Sequence, residues 1–259
     1  FTFIDTIAPT FDNAPADTTI ECSDPLPPTD GITATDNCTG NGDPIVTFNG
    51  EADTQFTAPG CRVMERSWTA TDACGNTTAH TQVITIIDTQ APTITGGEDA
   101  TVECDGAGNT EELDNWLANR GGATASDLCG DATWQSPAMT DMSGGCGETG
   151  SVTYAFTAVD ECGNEATIEL DFIIEDTTAP SFSGSETYEI ACADYDPEAQ
   201  YEIAADDDCG EVTLTIDSQE LITDSCPHVV NRVYKAEDEC NNASYFNQTI
   251  HLIDEVAPV

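Results

Sequence analysis

Residues 68–93 read WTATDACGNTTAHTQVITIIDTQAPT, and the stretch returns as FTAVDECGNEATIELDFIIEDTTAPS at 156–181 and as YKAEDECNNASYFNQTIHLIDEVAPV at 234–259. Each copy opens on an aromatic residue: Trp68, Phe156 or Tyr234. An Asp follows four positions later (Asp72, Asp160, Asp238), then a Cys, a second Asp (Asp88, Asp176, Asp254) and a closing Pro (Pro92, Pro180, Pro258). Self-similarity at a fixed period is the signature of a tandem array. Within each copy an acidic turn separates two runs rich in β-branched and aromatic residues, which predicts a β-hairpin. The opening residues FTFIDTIAP match the tail of the same stretch, with Asp5 and Pro9 in register. The chain is therefore expected to start inside a preceding repeat and to be a window on a longer array.

The linker aspartates divide the chain into repeats at 6–88, 89–176 and 177–254, with residues 1–5 ending a preceding repeat and 255–259 starting the next linker or repeat. Units of this size bury one small core and benefit from covalent staples. Twelve cysteines supply them, four per repeat: Cys22, Cys38, Cys61, Cys74; Cys104, Cys129, Cys146, Cys162; Cys192, Cys209, Cys226, Cys240. An even, periodic set in small β-rich units points to disulfides and an oxidising, extracellular setting. Zinc is the competing reading, but there is no C-x-x-C pair, and His80, His228 and His251 fall at unrelated places in the repeats. No stretch approaches the ~20 apolar residues that cross a bilayer, so no membrane insertion is expected in this segment.

Short strand-like runs between turn signals predict an all-β chain: a tandem array of three immunoglobulin-like antiparallel β-sandwiches of about seven strands each, disulfide-stapled. The second repeat inserts NTEELDNWLANRGG at 109–122. Leu113, Trp116 and Leu117 at helical spacing, Glu111 and Glu112 in the first turn, and Gly121 with Gly122 at the exit predict a short helix whose tryptophan packs on the sandwich. Trp68, Phe156 and Tyr234 are expected in the cores.

Forty-nine acidic residues against five basic ones give a formal net charge of −44. Such a chain repels nucleic acid and anionic membranes. With 39% hydrophobic residues it is too apolar for a solvated tail. Bound cations or screening salt must offset the self-repulsion.

Part of that charge is periodic. An Asp precedes the second cysteine of each repeat by two positions (Asp36, Asp127, Asp207), as another precedes the fourth. In a sandwich whose chain runs from one pole to the other, both D-x-C loops lie at the upstream pole, beside the linker aspartate. Three sets of carboxylates are then expected to converge: Asp5, Asp36 and Asp72; Asp88, Asp127 and Asp160; Asp176, Asp207 and Asp238. All-oxygen donor sets suit Ca²⁺. The competing reading is that Asp and Asn in tight turns bond only their own backbone, the role assigned to Asn76, Asn164 and Asn242.

The same pole argument suggests bridges within each repeat, first cysteine with third and second with fourth: Cys22–Cys61 and Cys38–Cys74, Cys104–Cys146 and Cys129–Cys162, Cys192–Cys226 and Cys209–Cys240. No G-x-S-x-G, H-E-x-x-H or phosphate loop occurs, and an enzyme is not expected.

ATDACGN, VITIIDTQAPT and the upstream ATDNC resemble the hyalin-type and cadherin-like immunoglobulin-fold repeats found in tandem in large surface adhesins, particularly those of gliding or host-attached Bacteroidetes. The resemblance covers all three repeats. It implies a stalk or filament segment of a bacterial cell-surface adhesin, with neighbouring repeats and other protein or glycan surfaces as partners. Cadherins bind calcium at their junctions through a similar A-x-D-x-G turn, a D-x-D loop and an acidic linker before A-P, whereas each linker here offers one reliable Asp. The alternative is a set of ligand- or glycan-binding modules of a secreted multidomain protein.

Overall fold

A computed structural model of the chain describes residues 4–38, 42–58, 60–222 and 228–254, without the side chains of 56–58. Cys226, Pro258 and the expected downstream linker at 255–259 lie outside the described residues, as do the first three residues.

The first sequence repeat contains β1 (Thr10–Phe11), β2 (Thr18–Glu21), β3 (Ala34–Thr35), β4 (Ile45–Ala58), β5 (Cys61–Thr71) and β6 (Thr77–Ile87). The pair β1–β3 faces a four-stranded sheet in the order β2-β6-β5-β4. The long hairpin forms because alternate residues of β5 and β6 point inward. Met64, Arg66, Trp68 and Ala70 are buried on β5 and Gln82, Ile84 and Ile86 on β6, with Met64 opposite Ile84, the period-2 pattern of a half-solvated sheet. Phe11 on the small sheet meets His80 on the large one at 5.8 Å between ring centroids.

The third repeat follows the same plan with β14 to β19, and the second does so with β7 to β13 and one helix. In the second, β7 (Thr93–Thr95) pairs with β9 (Thr124–Ser126). The larger sheet holds β8 (Ala100–Glu103), β10 (Ala132–Trp134), β11 (Ala138–Gly144), β12 (Gly150–Asp160) and β13 (Glu165–Glu175). In the third, β14 (Ser181–Gly184) pairs with β16 (Ile203–Asp206). The order β15-β19-β18-β17 is formed by β15 (Thr187–Ala191), β17 (Thr213–Leu221), β18 (His228–Glu237) and β19 (Ala243–Ile253). Pairing is antiparallel save at one edge of each large sheet, where β2 runs parallel to β6, β8 to β13 and β15 to β19. The described residues thus form all-β, disulfide-stapled sandwich repeats with one helix.

The inner faces explain why, among the described residues, the second repeat alone carries an α-helix, α1 (Thr110–Asn119). Buried Arg66 on β5 donates to Pro27 O at 2.6 Å, and buried Arg232 on β18 donates to Pro197 O and Ala199 O. Each guanidinium satisfies the carbonyls of an irregular loop that covers its sheet. At the corresponding place on β12 stands Tyr154, and the cover is α1, whose Trp116 meets Tyr154 and Phe172 at 6.1 and 5.6 Å and donates to Glu98 O at 3.1 Å. Arg120 caps the helix in the left-handed region at φ +55°, and Gly121 follows at φ +59°, where a Cβ would sit 2.6 Å from Glu98 O, so only glycine fits there.

The cysteines pair across repeats. Cys22 is bonded to Cys129, Cys61 to Cys162, Cys104 to Cys209 and Cys146 to Cys240. The first and third cysteines of one repeat thus join the second and fourth of the next. This corrects the expectation of Cys22–Cys61, Cys104–Cys146, Cys129–Cys162 and Cys209–Cys240. The reason is the sheet order: Glu21 and Arg62 flank β6 on opposite sides, at Ile87 and Ile86. Cys22 and Cys61 are therefore about two strand spacings apart, ~10 Å, beyond the reach of a disulfide. Each instead meets a D-x-C turn of the following repeat, at Cα separations of 5.8 and 5.9 Å. Cys38 and Cys74, expected to bond each other, are free, and Cys192 is free as well.

Two compact units result. One comprises Phe1–Gly96 with Ala123–Pro137 and Phe156–Ile168; the other comprises Gly97–Gly122 with Ala138–Ala155 and Glu169–Val259. Both bridges between the first and second repeats lie inside the former, and both between the second and third inside the latter.

Candidate metal sites at the repeat junctions

Among the described residues, the D-x-C segments at Asp36, Asp72, Asp127, Asp160, Asp207 and Asp238 are Asx turns, with the aspartate accepting from the cysteine N–H two residues on. The distances are 2.8, 2.7 and 2.8 Å for Asp36, Asp127 and Asp207, and 2.9, 2.7 and 2.7 Å for Asp72, Asp160 and Asp238. In the second group the turn asparagine adds its own N–H and side-chain amide. Asp160 takes these from Asn164 at 2.9 and 2.7 Å, and Asp72 and Asp238 take the same pair from Asn76 and Asn242. The linker aspartates make a third kind of Asx turn, Asp5 to Ile7 N, Asp88 to Gln90 N and Asp176 to Thr178 N. Short polar side chains bonding their own backbone fix all these carboxylates before any ligand arrives.

The turns bring the carboxylates to the linker. Oxygens of Asp88 and Asp160 lie within 4.8 Å of each other, as do those of Asp176 and Asp238, Asp176 and Asp207, and Asp5 and Asp36. Asp72 lines the same cleft as Asp5 and Asp36, and the charge of Asp127 acts on Asp88. Cysteine sulfur is adjacent in every cluster, but in the second and third sets it is locked in disulfides. The available donors there are oxygens.

Electrostatics separates the roles. Burial pushes the Asp88 carboxyl above its ordinary pKa, and the charges of Asp127, Asp160 and Glu21 push the same way. Asp176 is raised likewise, by burial first and then by Asp207, Asp238 and Glu103. Burial also works to raise Asp160, but hydrogen bonds from Asn164, Cys162 and Gly163 outweigh it and leave the carboxyl below its usual range. Asp176 Oδ2 is buried and makes no hydrogen bond, in a residue only 9% exposed. A buried carboxylate oxygen without a donor costs free energy unless a cation meets it.

The junctions hold further residues that sequence reasoning missed. Asn76, Asn164 and Asn242 do bond within their turns, yet each also donates its side-chain amide to the linker Asp carbonyl, at 3.3, 3.1 and 3.0 Å to Asp5, Asp88 and Asp176. Glu103 accepts from Thr177 N at 2.8 Å and from the hydroxyls of Thr177 and Thr178 at 2.9 and 2.7 Å. Glu21 binds Thr89 in the same way. The recurrence of Glu before the first cysteine and Thr after the linker Asp carried that signal. Gly60 and Gly147 allow the close backbone approach: a Cβ on Gly60 would lie 3.0 Å from Cys129 O, and one on Gly147, at φ +52°, would fall on Cys209 O.

No family model matches the chain, and no curated protein matches it in sequence. Among solved structures it is similar to Drosophila N-cadherin EC1-4, with 11% identity over 96% of this chain and 76% of that chain at a TM-score of 0.33. It is also similar to human CDH23 EC21-23, with 11% identity, coverage of 95% and 100%, and a TM-score of 0.34. For protocadherin gammaB7 EC3-6 the values are 9%, 95% and 77%, and 0.35.

Proposed function

We propose that the chain is a stalk or filament segment of an extracellular, bacterial surface adhesin, in which consecutive repeats are locked to one another by paired disulfides and by Ca²⁺ at each junction. The observation that carries the reading is the coincidence, at one place, of two covalent cross-links and a carboxylate cluster that includes the unpartnered Asp176 Oδ2. A binding module needs its variable surface free. A stalk needs its junctions fixed, and here the recurring D-x-C turns, turn asparagines and linker aspartates all meet at the junction. The ligand sets are Asp5, Asp36 and Asp72; Asp88, Asp127 and Asp160; and Asp176, Asp207 and Asp238, completed by backbone carbonyls and water. Oxygen donors alone, with high negative charge, favour Ca²⁺ over a transition metal. The bridges fix the linker, and the ion neutralises the carboxylate cluster.

Calorimetric titration of oxidised, chelator-treated protein with Ca²⁺ tests the reading. Saturable binding is expected, together with a higher thermal midpoint. Asp176→Asn, Asp207→Asn and Asp238→Asn combined should remove one class of site. Absence of binding heat and an unchanged midpoint in millimolar calcium would reject the calcium junction.

A further inference from the structure

Arg66 and Arg232 hold equivalent places on β5 and β18 but differ in how their charge is met. Arg66 Nε donates to Glu51 Oε2 at 2.8 Å, an ion pair between neighbouring strands. In the third repeat Gln219 stands where Glu51 does, opposite the arginine on the adjacent strand. Arg232 is wholly buried and bonds only neutral oxygens: the carbonyls of Pro197 and Ala199, the hydroxyls of Tyr195 and Tyr234, and Gln219 Oε1 at 3.0 Å. Its Nε has no hydrogen-bond acceptor. The rings of Tyr195, Tyr201 and Tyr234 surround the guanidinium at 5.4 to 5.8 Å. Aromatic faces ease the burial of a cation without cancelling its charge, and a buried cation that lacks a counter-charge favours an anion beside it.

A cleft of about 430 Å³ adjoins this guanidinium, within the range of small-molecule pockets, roughly 300 to 1,000 Å³. Tyr195, Pro197 and Gln219 line one part of it, and all three accept from Arg232 Nη2. Leu221, Val230 and Leu252 supply the apolar part. The cleft reflects replacements particular to this repeat: Leu221 stands where Asp53 does and His228 where Arg62 does, so the Arg62–Asp53 ion pair of the first repeat, at 3.7 Å, has no counterpart. In that first repeat, which another repeat follows, the side chains of Arg62 and Asp53 are still 28% and 33% exposed. An adjoining repeat therefore leaves this position open.

We infer that the third repeat binds a small monocarboxylate with an apolar body, its carboxylate drawn to Gln219 by the Arg232 charge and its apolar part laid against Leu221, Val230 and Leu252. Gln219 turns its oxygen to Arg232, which leaves its amide nitrogen to donate to the ligand. A polyanion is excluded, because the chain's net charge of −44 repels it, whereas a single charge in the cleft feels chiefly its nearest neighbours at physiological salt. The inference goes beyond the stalk reading and does not depend on calcium.

The test titrates benzoate into the oxidised 259-residue chain, with chelator present so that no junction ion can hold the carboxylate, and follows backbone amide shifts by heteronuclear NMR. Saturable binding at millimolar concentration is expected, with shifts centred on Gln219, Leu221 and Val230. Benzyl alcohol, which keeps the ring and lacks the charge, should bind at least about tenfold more weakly. Gln219→Glu gives Arg232 the carboxylate that Arg66 has, and Leu221→Asp places the first repeat's residue on the apolar wall. Each should weaken benzoate at least about tenfold and keep the thermal midpoint, since the first repeat accommodates the same residues. No saturable shifts, shifts centred elsewhere, equal binding of benzyl alcohol, or undiminished binding by folded Gln219→Glu would each overturn the inference.

Discussion

The side-chain amide of Asn164 lies 3.1 Å from the backbone carbonyl of Asp88 and 2.7 Å from the carboxylate of Asp160, so one residue closes its own turn and clamps the chain arriving from the repeat before. Replacing it with Ala removes both bonds and leaves the Asp88 carbonyl and Asp160 Oδ2 short of a donor. Asn164→Ala is expected to destabilise the first compact unit by about 2 kcal/mol. A denaturation midpoint within error of the parent would show that water substitutes for the clamp.

Bridges that close loops spanning 94 to 107 residues constrain the unfolded chain more than bridges within a repeat would. Each contributes about 4.7 kcal/mol in the chain-entropy account. Reduction, with free thiols confirmed, is expected to lower the thermal midpoint by at least about 10 °C. Non-reducing peptide maps should recover Cys22 with Cys129, and recovery of Cys22 with Cys61 instead would refute the pattern.

Asp176 has a folded-state pKa above its ordinary value, through burial and then the charges of Asp207, Asp238 and Glu103. A group raised in this way binds its proton more tightly when folded. In metal-free buffer its contribution to stability therefore grows as pH falls through the folded pKa towards the unfolded carboxyl range, about 3.9, and its charged form is a liability at neutral pH. Asp176→Asn keeps an acceptor for Thr178 N and removes the charge. With chelator at pH 7 the variant should be more stable by about 1 kcal/mol, and it should gain little when calcium is added. Thermal melts across this pH range, with and without calcium, decide it; a variant less stable than the parent in chelator would contradict the electrostatic reading.

Asp160 behaves oppositely. Its carboxyl is held below its usual range because the hydrogen bonds from its own turn outweigh burial. The stability it lends is present above the unfolded carboxyl pKa and is lost as pH falls through the lower folded value. Asp160→Ala is therefore expected to cost about 2 to 3 kcal/mol at pH 7 and progressively less below about pH 4. Equal losses at pH 7 and pH 3 would show that the turn owes nothing to the charge.

The backbone at Gly147 lies against Cys209 O with a left-handed φ of +52°. Gly147→Ala should weaken the second compact unit by about 2 kcal/mol or more, by steric conflict and strain together. An unchanged midpoint would mean that the junction can open without penalty.

Much of the fold was legible in the sequence. The 26-residue hairpin stretch carries its own strand pattern, and the inserted helix announced itself through Leu113, Trp116 and the glycines at its exit. The convergence of D-x-C turns on the linker followed from strand direction alone. Cysteine partners did not, for a reason intrinsic to repeats: a pole analysis assigns Cys22 and Cys61 to the downstream end of one repeat, yet every downstream end abuts an upstream end carrying equivalent cysteines one period on. Periodicity cannot distinguish a partner in the same repeat from one in the next. The clamping role of Asn164 was equally hidden. Its acceptor is a backbone carbonyl 76 residues away, and backbone atoms leave no trace in residue identities.

The overlapping bridges have a mechanical consequence. A tension applied across residues 22 to 240 passes through Cys22 to Cys129, along the backbone to Cys146, and through that bridge to Cys240. Only 17 residues (146 − 129) of backbone lie on that route, against 218 (240 − 22) along the chain. Even wholly unravelled, the oxidised protein could lengthen between those points to only about 60 Å beyond the span of its two bridges, where the reduced chain would extend to roughly 750 Å. Oxidation thus turns an extensible polypeptide into a tether with almost no slack, whatever the state of its folded cores.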